Sequence, residues 1–153
     1  MNITFKIQEV PKLNLAFVSV KGVQHISSAY AKLMEWATPK GLIDDQTKML
    51  SLYHDSFKDT EASQVKMSAC ILLHTSVETS GEIYETTINP GKCLVGSFEI
   101  GLEEFTTAWK YMFLWMKKNG YSKANKDPFE IYYNNFNEHP QKKAIVDFHI
   151  PIN

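Results

Sequence analysis

Apolar and polar residues alternate over much of the chain, with the period of two that is typical of half-buried β-strands. The alternation predicts four strands in each half of the chain, at 2–10, 14–21, 48–55 and 65–73, and then near 82–89, 93–100, 129–134 and 144–152. The polar stretch 56–63 predicts a loop between the third and fourth strands.

Two segments follow the period of an amphipathic helix instead. The first carries its apolar stripe on Ile26, Tyr30, Leu33 and Ala37 and ends near Pro39-Lys40-Gly41. The second follows Gly101, repeats the same spacing at Phe105, Trp109, Met112 and Met116, and stops at Gly120. The order strand, strand, helix, strand, strand therefore occurs twice.

The sequence itself repeats in the same register. A shift of 79 positions (101 − 22) superposes identical residues, among them Gly22/Gly101, Trp36/Trp115, Gly41/Gly120 and Tyr53/Tyr132. We therefore predict an α+β fold, a pseudo-two-fold duplicated module with about eight antiparallel strands and two long helices. The repeat covers about 3–74 and 82–153 of a single domain, residues 1–153, and we expect a cleft where the two modules meet.

Composition narrows the possible functions. The chain has 153 residues, 44% of them hydrophobic, and a net charge of −1, which suits one globular domain. All sixteen basic residues are lysines, and without arginine there is no bidentate contact to guanine or phosphate. We expect no direct nucleic-acid binding. No apolar run resembles a signal peptide or a membrane span, so we expect a cytoplasmic protein without membrane association.

Metal and cofactor chemistry receive little support from the sequence. The five histidines lack the spacing of metal ligands, and Cys70 and Cys93 are too few for a disulfide framework or a zinc knuckle. There is no glycine-rich phosphate loop and no nucleophile elbow. We predict that the protein has neither a metal site nor a cofactor.

The repeat is most informative where its symmetry breaks. Ser51 in the first half corresponds to Glu130 in the second half, two residues before the equivalent Tyr53 and Tyr132. Glutamate is disfavoured in strands, and burying a carboxylate requires donors, a proton or a cation. A Glu130 that faces the cleft would suit a hydrophobic ligand with delocalised positive charge. The alternative is that Glu130 points to water on an open sheet face.

Aromatic residues supply the other candidate ligand contacts. They are Tyr132, Tyr53, Trp36, Trp115, Trp109 and Phe17. Trp109 lies on the helical stripe and is more typical of a core, whereas Trp36 and Trp115 lie one step off each stripe, where they would line a groove.

These residues resemble the GyrI-like small-molecule-binding domain, which is also the effector-binding domain of AraC-type and MerR-type multidrug regulators. The resemblance covers essentially the whole chain. It is carried by the order Trp36-Ala37, Gly41-Leu42, Tyr53-His54-Asp55, 89–93 (NPGKC), 115–121 (WMKKNGY) and 129–134 (FEIYYN). Two departures are the Ser56 that follows Asp55, where the family often has proline, and the lack of a recognisable helix-turn-helix. We therefore expect a stand-alone form.

The resemblance implies a ligand cleft at the junction of two modules, with the Glu of the E-x-Y motif, here Glu130, contacting cationic, lipophilic or aromatic ligands. Sensing, sequestration or detoxification of such compounds is the first predicted function. An alternative is a hydrolase of cyclopropane-containing DNA-alkylating compounds, in which Glu130 acts with Tyr132 or Tyr53. A third is a protein-interaction module that acts on a topoisomerase.

Overall fold

A computed structural model describes residues 2–56 and 59–153 of the chain. Its eight strands and two α-helices, all in this described part, confirm the predicted α+β fold. The loop predicted at 56–63 includes Phe57 and Lys58, which lie outside the described residues. None of the helices in the described ranges is long and apolar enough to cross a membrane.

The chain divides into two compact units. Unit 1 comprises residues 2–11 and 90–153, and unit 2 comprises Lys12–Asn89. The strands and helix of unit 2 are β2 (Leu13–Lys21), α1 (Ile26–Ala37), β3 (Met49–Tyr53), β4 (Lys66–Leu73) and β5 (Tyr84–Ile88). Its strand order is β3-β4-β2-β5, and the pairs β3–β4, β4–β2 and β2–β5 are antiparallel.

Unit 1 has the same plan. Its elements are β1 (Asn2–Val10), β6 (Gly91–Ile100), α2 (Phe105–Lys118), β7 (Phe129–Tyr132) and β8 (Ala144–Pro151). They form the order β1-β6-β8-β7, again with antiparallel pairs. A glycine in the left-handed conformation follows each helix, Gly41 with φ 69° after a 3-10 turn (Thr38–Lys40) and Gly120 with φ 76° after Asn119, as the repeat predicts.

The first strand of each sequence repeat pairs outside its own half. Strand β1 pairs with β6, and β5 pairs with β2, so neither forms a hairpin with the strand that follows it. Pro11 and Pro90 occupy the two links. A two-residue type I′ turn needs positive φ at both positions, which proline cannot adopt. The units therefore coincide with the sequence repeats except for these exchanged strands.

The second strand of each sequence repeat, β2 or β6, departs from the 79-residue register. Ala16 pairs with Ile71, and Leu94 pairs with Ile150, so Leu94 corresponds in structure to Ala16 and not to Leu15. One extra residue, Ile100, precedes Gly101 and absorbs the difference. Because a slip of one residue moves a side chain to the other face of the sheet, sequence alignment alone misassigns the faces of this strand.

The core of unit 1 lies between α2 and one face of its sheet. The Phe148 ring lies at its centre, with ring centroids of Phe98, Trp109 and Phe105 at 4.9, 4.8 and 5.4 Å. Gly96 lets α2 approach the sheet, because an added Cβ would overlap Met112 Sδ and lie 2.8 Å from the Phe98 ring. In unit 2 the equivalent core is smaller and aliphatic, built on residues such as Leu33 and Ile71.

The opposite face of the unit 1 sheet contains a buried histidine. His149 is 5% exposed, and its ring stacks on Phe129 with centroids 4.4 Å apart. Burial lowers the pKa of His149 to about 4, with Asp147 acting in the opposite direction. The imidazole is therefore neutral in the folded protein at neutral pH.

We predict that Gly96→Ala lowers the free energy of unfolding by about 1–3 kcal/mol, because the added methyl overpacks the contact with Met112 and Phe98. Urea unfolding followed by circular dichroism measures the change. Ser97→Ala, at the next position on the same strand and the other face, serves as control, with an effect within about 0.5 kcal/mol. A Gly96→Ala protein as stable as wild type would show that α2 does not require this close approach.

We predict a loss of stability in acid that depends on His149. An unfolded histidine takes up a proton near pH 6.5, whereas folded His149 does so only near pH 4. The unfolded state thus binds more protons in this window, so stability falls as pH decreases from 6.5 to 4, by up to about 3 kcal/mol from this group. His149→Phe keeps a ring on Phe129 and should flatten this part of the pH–stability curve. Equal slopes for variant and wild type would contradict the assignment.

Candidate functional site

Glu130 lies on β7 in the α2-facing surface of the unit 1 sheet, directly opposite Phe148 on β8. Its side chain is 1% exposed. The alternative, in which Glu130 points to water on an open sheet face, is therefore wrong. Because a buried carboxylate is costly unless hydrogen-bonded, its donors define the site.

Both carboxylate oxygens of Glu130 accept a hydrogen bond. The indole Nε1–H of Trp109 donates to Oε1 at 2.9 Å, and the Tyr132 hydroxyl donates to Oε2 at 2.5 Å. Each of these two donors is itself a neutral group. Hydrogen bonds to an ionised acceptor are stronger than those between neutral groups.

The position of Trp109 follows from helix packing. Trp109 lies on the stripe of α2 that also contains buried Ala108 and Met112, and its ring packs on Phe148. Since Phe148 pairs with Glu130 across the sheet, a tryptophan on Phe148 directs its N–H toward the carboxylate. Trp109 thus belongs to the core and to the site, whereas its spacing alone is typical of a core.

Unit 2 contains the neutral counterpart of this arrangement. Tyr30 and Ser51, the residues 79 positions before Trp109 and Glu130, share a hydrogen bond of 2.7 Å. Ser51 lies opposite Ala69 in the β3–β4 register, just as Glu130 lies opposite Phe148. The helix-to-strand hydrogen bond therefore recurs in both units, and only unit 1 places a carboxylate in it. Sequence reasoning found the Ser51/Glu130 difference but missed the Tyr30/Trp109 partners.

Trp115 lies away from Glu130, at the other edge of the unit 1 sheet. Its ring stacks on Phe5 of β1, with centroids 5.6 Å apart, and β1 and β7 are the first and last strands of the unit 1 order. Two strands lie between them, so about 14 Å separates the two ends at the usual strand spacing. Trp115 lies one residue off the buried stripe of α2, which is the reason for predicting that it lines a groove. The same offset turns its side chain toward the β1 edge of the sheet.

The remaining candidates belong to unit 2. Tyr53 on β3 is buried, at 6% exposure, and lies on the α1-facing surface of its sheet. Trp36 on α1 is half-buried, with Lys40 Nζ 5.6 Å from its ring centroid. Phe17 lies on the opposite face of the sheet from Tyr53, with Tyr84 6.0 Å from its ring. The structure thus groups Glu130 with Trp109 and Tyr132, and the cleft expected between the modules stays a prediction.

Both cysteine thiols of the chain are buried. Burial raises the pKa of the Cys93 thiol to about 12 and that of Cys70 further, so both thiols stay protonated and weakly nucleophilic. His54 lies in unit 2, where its Nε2 is 2.8 Å from the Ser68 hydroxyl. The acid–base groups of the site itself are the Glu130 carboxyl and the Tyr132 phenol.

Solved structures share this fold at low sequence identity. The C-terminal domain of EcmrR matches with a TM-score of 0.80 and 17% identity, over 100% of this chain and 99% of that domain. A hydrolase from Listeria innocua matches with a TM-score of 0.66 and 13% identity, over 97% of this chain and 91% of that chain. SAV2435 bound to tetraphenylphosphonium matches with a TM-score of 0.57 and 14% identity, over 98% and 94%.

In one further structure this chain matches only part of a longer chain. In the EcmrR–DNA complex it matches 57% of the EcmrR chain, with a TM-score of 0.77 and 15% identity. No curated protein matches it by sequence. The profile of the GyrI-like small molecule binding domain matches residues 3–153. The chain therefore belongs to the family of GyrI-like small molecule binding domains.

Proposed function

We propose that the protein binds hydrophobic cations, with the Glu130 carboxylate as the electrostatic anchor. The observation that supports this most directly is the buried Glu130, which accepts hydrogen bonds from Trp109 and Tyr132 in a part of the unit rich in aromatic rings. A negative charge in such a site attracts a nearby cation far more strongly than one in water.

The rings around the carboxylate favour the same ligand class. Trp109 and Tyr132 both hydrogen-bond to Glu130, and Phe113 lies 6.4 Å from the Trp109 ring. The face of each such ring attracts a cation by about 0.5–2 kcal/mol, depending on desolvation. A large organic cation has a low hydration cost and a wide apolar surface, so it gains from both effects. Tetraphenylphosphonium, the ligand of the related SAV2435 structure, is such a cation.

Half-buried Tyr132 is the side chain through which we propose that a ligand gains access. Glu130 itself is 1% exposed, whereas Tyr132 is only partly covered. Rotation of Tyr132 would break its hydrogen bond to Oε2 and open that oxygen to a ligand cation. Trp109 would remain hydrogen-bonded to Oε1 and report on the event by its fluorescence.

We predict that tetraphenylphosphonium binds more tightly than tetraphenylborate, which has nearly the same shape and the opposite charge. Fluorescence is measured on the Trp36→Phe/Trp115→Phe variant, in which Trp109 is the only one of the three tryptophans left. Glu130→Gln in this background should weaken tetraphenylphosphonium binding roughly 10- to 100-fold and reduce the preference for the cation.

The control variant is Glu35→Gln, which removes one negative charge from an exposed position on α1 and should leave both affinities unchanged. If Glu130→Gln binds both ions as its parent does, the charge of Glu130 is not the anchor. Equal binding of the two ions by the parent protein would argue against cation selectivity altogether.

A second candidate function is hydrolysis, which the 2.5 Å contact between Tyr132 and Glu130 favours. A carboxylate can orient or deprotonate a water, and an adjacent phenol can donate a proton to a leaving group. A cyclopropane-containing alkylating compound would gain one water, and mass spectrometry would detect the addition. Tyr132→Phe should then abolish turnover while binding persists. Recovery of only unchanged compound from wild type would leave binding as the function.

A further inference from the structure

A second feature of unit 1 lies at the edge of the sheet that is farthest from Glu130 in strand order. It is an open groove of about 850 Å³ between β1 and α2. Its apolar lining consists of Ile3, Phe5, Tyr111, Leu114 and Trp115. None of these residues contributes to the Glu130 site described above.

The groove exposes apolar surface on a helix that is already packed on its other side. Leu114 is 60% exposed and Tyr111 is 41% exposed, although Met112 and Met116 bury the opposite stripe of α2. Tyr111, Leu114 and Lys118 follow the spacing i, i+3, i+7, which places them along one side of the helix. Contiguous exposed apolar surface of this kind is typical of an interaction site.

The base of the groove is an ordered aromatic stack. Trp115 stacks on Phe5 at 26° between the ring planes and on Tyr121 at 9°, with centroids 5.6 and 5.7 Å apart. Lys92 Nζ lies 5.8 Å from the centroid of the Tyr121 ring. Rings packed on one another in this way need little reorganisation before a ligand binds.

Strand β1 supplies the second, independent observation. It is nine residues long and stands at the end of the strand order, with β6 as its partner. Every second residue of such a strand directs its backbone N–H and C=O away from the sheet. Long edge strands are usually protected by charge, proline or a bulge, since they pair readily with another strand. Between Ile3 and Gln8, Lys6 is the only charged residue of β1.

The charged residues that line the groove are both lysines, Lys117 and Lys118 in the last turn of α2. Within the described part of the chain neither forms an ion pair. They therefore present a positive end to an otherwise apolar groove, and a matching ligand is apolar along most of its length and acidic near one end.

We propose that this groove and the β1 edge together bind an extended acidic segment of a partner protein, which adds to β1 as a further strand. Alternate side chains of the added strand would lie on the apolar lining, and a carboxylate on the same face would meet Lys117 or Lys118. Strand addition of this type obtains affinity from the main chain and specificity from alternate side chains.

Two other occupants fit the observations less well. An anionic amphiphile would use the apolar lining and the lysines, but it would leave the open row of N–H and C=O groups on β1 unused. A second copy of this chain, pairing through its own β1, would bring a second Lys117 and Lys118 to the same edge, with no acidic group in the groove lining to meet them. An acidic strand satisfies the backbone, the apolar lining and the charge together.

The test uses a nine-residue peptide with Thr at the odd positions and Val, Ile, Glu and Glu at the even positions. The four even-position side chains therefore share one face when the peptide forms a strand. Binding is followed by amide chemical shifts and hydrogen exchange of the full chain. We expect shifts in β1 and the last turns of α2 and slower exchange of the outward β1 amides. The same peptide with Lys in place of Glu should bind at least about tenfold more weakly.

Variants separate the parts of the proposal. Lys117→Glu/Lys118→Glu should reverse the preference between the two peptides, and these exposed positions carry little risk to folding. The Glu130→Gln variant should bind the acidic peptide as wild type does, because the groove and the β1 edge are independent of the small-molecule site proposed at Glu130. A peptide N-methylated at alternate amides should not bind.

Several results would overturn the proposal. The proposal fails if the acidic peptide does not bind, or if the N-methylated peptide binds equally well. It also fails if decanoate, a simple anionic amphiphile, shifts the groove resonances and the peptide does not. Sedimentation that shows a dimer with protected β1 amides would assign the edge to self-association instead.

Discussion

The packing of α2 on Phe148 is the contact on which the rest of unit 1 depends. Phe98, Phe105 and Trp109 surround this ring, and Gly96 allows the helix to come close enough for the rings to meet. Because Phe148 is the register partner of Glu130, the same packing that builds the core also sets the distance between the Trp109 indole and the Glu130 carboxylate. The geometry of the site is thus a consequence of core packing, and not of a loop that could adjust independently.

Much of the fold follows from the sequence for simple physical reasons. Alternation along β8 and helical spacing in α2 indicate which face of each element is buried. Gly41 and Gly120 indicate where the helical segments end. The exchange of β1 and β5 could not be predicted in this way, because alternation identifies a strand without identifying its partner. The extra residue Ile100 was also hidden, since a single insertion leaves the 79-residue identities on either side intact.

The candidate site was predicted in part for similar reasons. The Ser51/Glu130 difference is visible in one sequence because the repeat supplies its own reference. The role of Trp109 is not visible, since the spacing of a core tryptophan is the same whether or not its N–H has a buried acceptor. The location of Trp115 depends on which strand edge α2 covers, which is a property of the sheet order. The sequence therefore does not predict which side chains from different helices and strands contact one another.

The two units together explain why a charge at position 130 calls for a functional account. Tyr30 and Ser51 maintain the helix-to-strand hydrogen bond with neutral groups, so the fold does not require a carboxylate at this point. A carboxylate in the same position costs more to bury than a hydroxyl, and hydrogen bonds from Trp109 and Tyr132 offset part of that cost. Within one chain, then, the same structural position occurs once with a serine hydroxyl and once with a glutamate carboxyl group. The difference between them is an acidic group among aromatic rings, which the packing of the unit does not require and which the proposed binding of hydrophobic cations would use.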